Sequence, residues 1–200
     1  MRAAANARDA ALISVLAYAG LRPQEALALQ WGDVRERTLL IQRAVSLGEE
    51  KDTKTTAHRT VRLLSPLRED LLEWKLRSGR PNGDALVFPG PQGGLWTKVT
   101  YDNWRGRAFD RARTAAGAEK ATPYALRHSF ASLLLHEGRS VVYVARQLGH
   151  DARLTLSTYG HVIDELDEQP RVSAEDAIRA ARQGSCVPSV SREAVSGDAG

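Results

Sequence analysis

Four side chains in this sequence have the chemistry to act together on a phosphodiester without a metal ion. Two are arginines, Arg22 in AGLRPQEALAL and Arg127 in TPYALRHSF, and the others are His150 and Tyr159 in LGHDARLTLSTYGH. Two guanidinium groups can hold the non-bridging oxygens of a phosphate, and a histidine can donate a hydrogen bond to it. A phenol can then attack phosphorus as a nucleophile. The combination predicts a phosphate site with Tyr159 as the attacking group.

Each of these residues, taken singly, also has an ordinary structural explanation. Arg22 precedes a helix N-terminus, where a cation opposes the helix dipole unless an anion lies between them. Arg127 could extend over the core with its charged head in water. His150 could bond backbone carbonyls at a helix end, and Tyr159 could be a packing residue, because a free phenol titrates near about pH 10 and is a poor nucleophile. Only their joint occurrence, with two guanidinium groups to favour a phenolate, supports the chemistry.

Length and composition favour one globular domain. Two hundred residues can bury one core, and no apolar stretch reaches membrane-spanning length, so no membrane partner is expected. The apolar N-terminus resembles a signal peptide, but Asp9 interrupts it and the apolar pattern continues as a helix. The single cysteine, Cys186, excludes an internal disulfide and a cysteine metal site. These features predict a cytoplasmic protein that binds no metal.

The charge is unevenly distributed along the chain. The formal net charge is +4, but residues 161–200 hold four arginines and eight carboxylates, so residues 1–160 carry +8. Arginine outnumbers lysine 23 to 5, and arginine is the better bidentate phosphate ligand. A basic body favours a polyanionic partner, most simply nucleic acid. A genome that favours arginine codons would produce the same bias, so charge alone does not decide the function.

The first part of the chain is predicted to form two helices and a β-hairpin. A helix over Arg8–Ala19 ends at Gly20, and a short helix over Pro23–Leu29 follows. Strands near Thr38–Ser46 and over Thr60–Leu64 then flank a charged turn.

Three further elements are predicted after the hairpin. Ser65 caps a helix that begins at Pro66, and ALVF at Ala85–Phe88 forms a short strand. A basic amphipathic helix covers Thr100–Ala116. The side chains expected to be buried on the two helices are Leu67, Leu71, Leu72, Leu76, Trp104 and Phe109.

The region that holds the second arginine is predicted to be helical. Thr122 and Pro123 begin one helix, Ser140 caps the next, and a last helix after LGHD carries Tyr159. The expected buried positions on the first two of these helices are Leu126, Phe130, Leu133, Leu134, Val141, Val144, Ala145 and Leu148. A separate helix is expected at Ser173–Gln183.

The sequence resembles the catalytic domain of tyrosine recombinases, the phage integrase family. The resemblance covers Arg8–Val162 and rests on GLRPQEALAL with WGDV after it, TKTTAHRTVRL, TPYALRHSFASLLL and LGHDARLTLSTYGHV. It implies an α+β fold that is mostly α-helical, with a small antiparallel β-sheet. The expected organisation is a catalytic domain over residues 1–165 and a C-terminal helix over 166–183. The composition of residues 184–200 predicts a disordered tail.

The resemblance also implies a role for each site residue. Arg22 and Arg127 would clamp the scissile phosphate, His150 would donate a hydrogen bond to it, and Tyr159 would be the nucleophile. Lys54, in the hairpin turn, would be the general acid that protonates the departing 5′ oxygen, with Lys51 as a weaker candidate. The implied activity is DNA strand cleavage and rejoining through a 3′-phosphotyrosine. The covalent intermediate conserves the bond energy, so neither a cofactor nor a metal is expected.

The sequence departs from the family pattern at one position of the site. The family usually has a histidine three residues before the second arginine, and Tyr124 stands there. A phenol can donate a hydrogen bond to a phosphate oxygen, so Tyr124 is expected to keep a positioning role. The adjacent His128 is expected to point elsewhere, because neighbouring helical residues do not share a face.

The expected partners are double-stranded DNA and other copies of the chain in a tetramer. Family members usually carry a helical DNA-binding domain ahead of the catalytic one, and the two form a clamp around DNA. This chain is expected to be a fragment, a shortened protein, or one whose clamp an accessory protein supplies. One alternative function is a DNA-binding integrase remnant that is not catalytically autonomous. Another is a type IB topoisomerase-like enzyme that relaxes supercoils. The helix at Ser173–Gln183 is expected either to pack on a neighbouring protomer or to lie solvated on its own chain.

Overall fold

The computed structural model describes residues 1–46 and 58–167, and the side chains within this range up to residue 163. The chain divides into two units, Met1–Ile163 and Asp164–Gly200. The helices are α1 Ala7–Tyr18, α2 Pro23–Leu27, α3 Ser65–Arg77, α4 Lys98–Trp104, α5 Asp110–Thr114, α6 Pro123–His136, α7 Val141–Leu148 and α8 Ala152–Asp167. The strands are β1 Thr38–Ile41 and β2 Arg59–Arg62, and short 3-10 turns cover Arg2–Ala4 and Trp31–Asp33. The prediction of a mostly helical α+β fold with a small antiparallel sheet is confirmed.

Helix α1 forms the centre of the core. Asn6 caps its N-terminus by accepting a hydrogen bond from the backbone N–H of Asp9 at 2.9 Å. The helix packs against α3 on one side and α6 on the other, and Leu12 and Leu16 are 1% exposed. Because α1 is buried on two sides, its C-terminal turn, which leads to Arg22, is held in a fixed position.

The β-hairpin is shorter than the sequence pattern indicates. Strand β1 pairs antiparallel with β2, with Thr38 opposite Arg62 and Ile41 opposite Arg59. The predicted continuation to Ser46 is wrong, because the backbone N–H of Val45 donates to the carbonyl of Gln24 instead of continuing the ladder. The hairpin turn, with Lys51 and Lys54, lies outside the described residues.

Two other local predictions are also wrong. Residues 85–88 do not form a strand, because Leu86 makes a single bridge with Gln30 and the Val87 N–H donates to Leu29. Ser65 does not cap α3, because it is already the first helical residue and Leu64 occupies the capping position.

The leucine-rich faces of α3 and α6 are narrower than predicted. Leu67 and Leu71 are buried, whereas Leu72 and Leu76 are 50% and 58% exposed. Five residues rotate a position by about 140° around an α-helix, so Leu72 cannot share the face of Leu67. On α6, Leu133 is likewise exposed.

The basic segment 98–114 follows the predicted amphipathic pattern. Helices α4 and α5 are joined by a π-helical turn, Arg105–Phe109, and Trp104 and Phe109 pack inward at 5.5 Å between ring centroids. Three arginines of the segment are exposed: Arg105, Arg107 and Arg111. In the described part of the chain, no helix combines the length and the apolar character needed to cross a membrane.

Candidate active site

The turn between α1 and α2 positions Arg22. Gly20 adopts a left-handed φ of 59°, and Arg22 is the capping residue of α2, with Pro23 at the first helical position. The anion that this position requires is Glu25, which accepts the Arg22 backbone N–H at 2.8 Å and its guanidinium at 2.9 Å. A second guanidinium nitrogen of Arg22 donates to the carbonyl of Gly149 at 3.4 Å.

Arg127 connects the turn after α1 with the turn after α7 from inside the domain. It is 3% exposed, and its guanidinium donates to the carbonyl oxygens of Gly20 and Leu148. The same group contacts Nε2 of His150 at 2.8 Å. Burial, followed by the charge of Arg22, lowers the pKa of Arg127 to about 10, so the group stays cationic at neutral pH. Arg22 and Arg127 thus reach the adjacent carbonyls of Gly149 and Leu148 and lie on the same side of the molecule.

His150 follows the left-handed end of α7. Gly149 has a φ of 67°, and the His150 N–H donates to the Ala145 carbonyl at 3.0 Å. A guanidinium only donates, so Nε2 accepts from Arg127 and the neutral ring carries its hydrogen on Nδ1. That Nδ1 is buried and has no hydrogen-bond partner among the described residues. Burial, followed by the charges of Arg127 and nearby cations, lowers the pKa of His150 to about 4, so the ring is a neutral donor at pH 7.

Tyr159 lies on α8 beside His128 of α6. Tyr159 is 3% exposed, and its hydroxyl is 2.8 Å from Nδ1 of His128, with the ring centroids 5.6 Å apart. The expectation that His128 points away is wrong, because the site surrounds α6 on more than one face. Arg127 faces the two turns, and His128, about 100° further round the helix, faces α8. Burial raises the pKa of the Tyr159 phenol, whereas the charge of Arg127 lowers it.

Tyr124 stands apart from this group. Tyr124 is 49% exposed, and its described hydrogen bond is a long one of 3.5 Å to Gln24. The structure therefore brings together Arg22, Arg127 and His150, with Tyr159 linked to them electrostatically through Arg127. Lys54 falls outside the described residues, so its role stays a prediction.

Glu25 and Arg59 are site residues that sequence reasoning missed. Arg59 donates both terminal nitrogens to the Glu25 carboxylate at 2.8 and 2.6 Å and its Nε to the Gln147 carbonyl at 3.0 Å. Burial alone would raise the pKa of Glu25, but the hydrogen bonds and charges of Arg59 and Arg22 lower it to about 2. The sequence did contain one indication of the role of Glu25. It stands three residues after Arg22, which is the spacing of a capping box.

The electrostatics of the site favour an anionic ligand. Three guanidinium groups, of Arg22, Arg59 and Arg127, lie around the single carboxylate of Glu25, so the group is cationic. A phosphodiester would neutralise part of this charge and accept from Arg22, whose side chain is 36% exposed. The arrangement can hold a phosphate at Arg22.

The fold is that of a tyrosine recombinase catalytic domain. The chain belongs to the phage integrase family, whose profile matches residues 1–165. It is 31% identical over 166 residues to the tyrosine recombinase XerD of Proteus mirabilis, an alignment that covers 79% of this chain and 49% of that protein. The chain therefore spans about half the length of this relative.

Solved structures show the same fold. The crystal structure of XerA recombinase has a TM-score of 0.60 at 21% identity, covering 90% of this chain and 57% of that chain. The XerH site-specific recombinase, bound to palindromic difH substrate in a post-cleavage complex, has a TM-score of 0.61 at 27% identity. That match covers 81% of this chain and 44% of that chain.

Proposed function

We propose that this chain is the catalytic domain of a site-specific DNA recombinase, with residues 1–165 as the catalytic unit. Strands would be cleaved and rejoined through a 3′-phosphotyrosine on Tyr159. The observation that supports this most directly is the approach of Arg22 and Arg127 to adjacent carbonyls of one turn, next to the helix of the tyrosine. Membership of the phage integrase family supports the same proposal.

Each side chain has a role that its contacts support. Arg22, half-exposed, would bind a non-bridging oxygen, and buried Arg127 would hold the turns and add positive potential at phosphorus. His150 would donate a hydrogen bond to the phosphate as a neutral ring. Lys54 would protonate the leaving 5′ oxygen, and Tyr124 would donate a hydrogen bond at the rim of the site.

The proposed partner is double-stranded DNA. The similar XerH recombinase is described in complex with a difH substrate, and this chain exposes Arg105, Arg107 and Arg111 to solvent. Phosphate contacts of this kind supply much of the affinity for a duplex. The working unit would be a tetramer on DNA.

A suicide substrate tests the proposal. A duplex nicked close to the cleavage site loses its short 5′-hydroxyl fragment, so the covalent protein–DNA adduct accumulates and is seen on a denaturing gel. The wild type should form the adduct and Tyr159→Phe should form none, whereas Tyr143→Phe on α7 should behave as wild type. Duplex binding without any adduct from the wild type would contradict the proposal and favour a DNA-binding remnant.

A further inference from the structure

We infer that His128 accepts the proton of the Tyr159 phenol during attack on the phosphate. The inference rests on the proposed function and adds a proton acceptor to it. Nδ1 of His128 lies 2.8 Å from the phenol oxygen, which is hydrogen-bonding distance to the atom that reacts. The contact joins a side chain of α6 to one of α8, and the His128 end of it is exposed to solvent.

The other polar groups of the site already have hydrogen-bond partners or carry no free lone pair that could accept a proton. Nε2 of His150 accepts from Arg127, which leaves its Nδ1 carrying the hydrogen, and a guanidinium has no free lone pair. The Glu25 carboxylate is occupied by Arg22 and Arg59. Among the described residues, His128 is therefore the group placed to take a proton from Tyr159.

Tyr124 strengthens this assignment. Where the resemblance leads one to expect an imidazole, the chain has a phenol, and that phenol contacts Gln24 at the rim. The imidazole next to the nucleophile is instead four residues further along α6, one helical turn away. An imidazole therefore contacts the nucleophile although position 124 has none.

Attack on the phosphate moves one proton from Tyr159 to His128. The O–H bond of Tyr159 breaks and its hydrogen moves to Nδ1 of His128, giving an imidazolium. The phenol oxygen forms a bond to phosphorus, and the bond from phosphorus to the 5′ oxygen breaks. That oxygen takes a proton from the general acid, proposed as Lys54, so the net charge of the protein and DNA is unchanged. On rejoining, the imidazolium returns its proton to Tyr159.

The surroundings of the phenol make an acceptor necessary. Tyr159 is 3% exposed, so water has little access to the hydroxyl and burial disfavours a free phenolate. The charged and titratable groups that interact with His128 in the described part of the structure are Tyr159 from α8 and His150 from the turn after α7. Arg127 precedes it on α6 and lowers the pKa of the phenol.

His128→Asn separates proton transfer from simple positioning. The Asn side-chain oxygen can occupy the place of Nδ1 and accept from the phenol, but it cannot take the proton. Adduct formation on the nicked duplex should fall about 100-fold near pH 7. The deficit should shrink as the pH rises toward the ionisation of the phenol itself. His136→Asn, at the exposed end of α6, is the matched control and should equal the wild type.

Nitrogen NMR of the full chain without DNA gives a second readout. In the neutral ring of His128, Nδ1 should be unprotonated and its signal should move in Tyr159→Phe. A proton found on Nδ1 overturns the inference, as does equal adduct formation by His128→Asn and wild type at every pH. Absence of adduct from the wild type contradicts the proposed function, and is distinguishable because it does not depend on residue 128.

Discussion

The guanidinium of Arg59 in β2 donates two parallel hydrogen bonds, of 2.8 and 2.6 Å, to the carboxylate of Glu25 in α2. The same carboxylate accepts the backbone and guanidinium of Arg22, so one anion links the hairpin to the first arginine of the site. Arg59 also lies against Gly149, where an added Cβ would approach its Cδ to 3.1 Å. The hairpin, α2 and the turn that precedes His150 are therefore fixed to one another.

Replacing Arg59 by methionine should destabilise the fold and weaken catalysis together. Glu25 is 8% exposed, and the substitution removes its bidentate partner while keeping an apolar stem. Breaking a buried ion pair by removing one partner costs about 3 kcal/mol or more, measurable as the free energy of unfolding in urea. Adduct formation should also fall, because Arg22 loses the fixed carboxylate that orients it.

Arg62→Met is the control for this experiment. Arg62 pairs with Glu137 at 2.8 Å, but both side chains are more than a third exposed, at 38% and 39%. Solvent screens such a pair, so its loss should cost about 1 kcal/mol or less and leave adduct formation intact. Equal losses in the two variants would contradict the role given to Arg59.

The sequence predicted the helices well because their caps and apolar periods are local signals. Thr122 and Ser140 cap α6 and α7 as expected, and Gly20 and Gly149 end the helices before them in left-handed conformations. The strand prediction at 85–88 failed because its hydrogen bonds go to Leu29 and to tryptophan side chains, which are tertiary contacts.

The site was only partly predictable for the same reason. The combination of Arg22, Arg127, His150 and Tyr159 is visible from residue types, and the structure brings the first three together. The contacts of Glu25 with Arg59, and of His128 with Tyr159, join residues 34 and 31 positions apart, and single-sequence periodicity carries no information at that separation.

Gly20→Ala should be among the most damaging single changes outside the polar site. Gly20 has a φ of 59°, and a Cβ there would lie 2.5 Å from Cδ1 of Phe130 and 3.0 Å from a methyl of Leu148. Strain and overpacking together predict a loss of about 3–4 kcal/mol in unfolding free energy. Gly138→Ala, at a φ of 80° with no described atom within 4 Å of the added Cβ, should lose only about 1 kcal/mol. A similar loss in both variants would show that Phe130 moves aside freely.

Acidification should destabilise the domain in two successive windows. The pKa of His150 is lowered from 6.5 to about 4, so the unfolded chain takes up a proton first and stability falls between these values. The pKa of Glu25 is lowered from 4.5 to about 2. The stabilisation from the ionised carboxylate is therefore complete above pH 4.5 and is lost as the pH falls through about 2. Unfolding free energies measured in urea from pH 7 to pH 2 should show both windows. His150→Asn should flatten the upper one, and Glu25→Gln the lower one. A wild-type curve that is level between pH 6.5 and 4 would contradict the neutral state of His150 in the folded domain.

Arg127→Lys should separate binding of DNA from cleavage. A lysine keeps the positive charge, but a single ammonium lacks the planar fork that reaches Gly20 and Leu148 at once. The turns at Gly20 and Leu148 would no longer be held by the same side chain. Arg22 and His150 would therefore shift relative to Tyr159. Adduct formation at saturating DNA should fall about 100-fold, while the dissociation constant for duplex changes by about threefold or less. Arg111→Ala, on the exposed side of α5, should do the reverse by weakening duplex binding and its salt dependence while leaving the rate at saturation unchanged. If Arg127→Lys weakened binding as much as it slowed cleavage, Arg127 would act as a DNA contact and not as the residue that holds the site together.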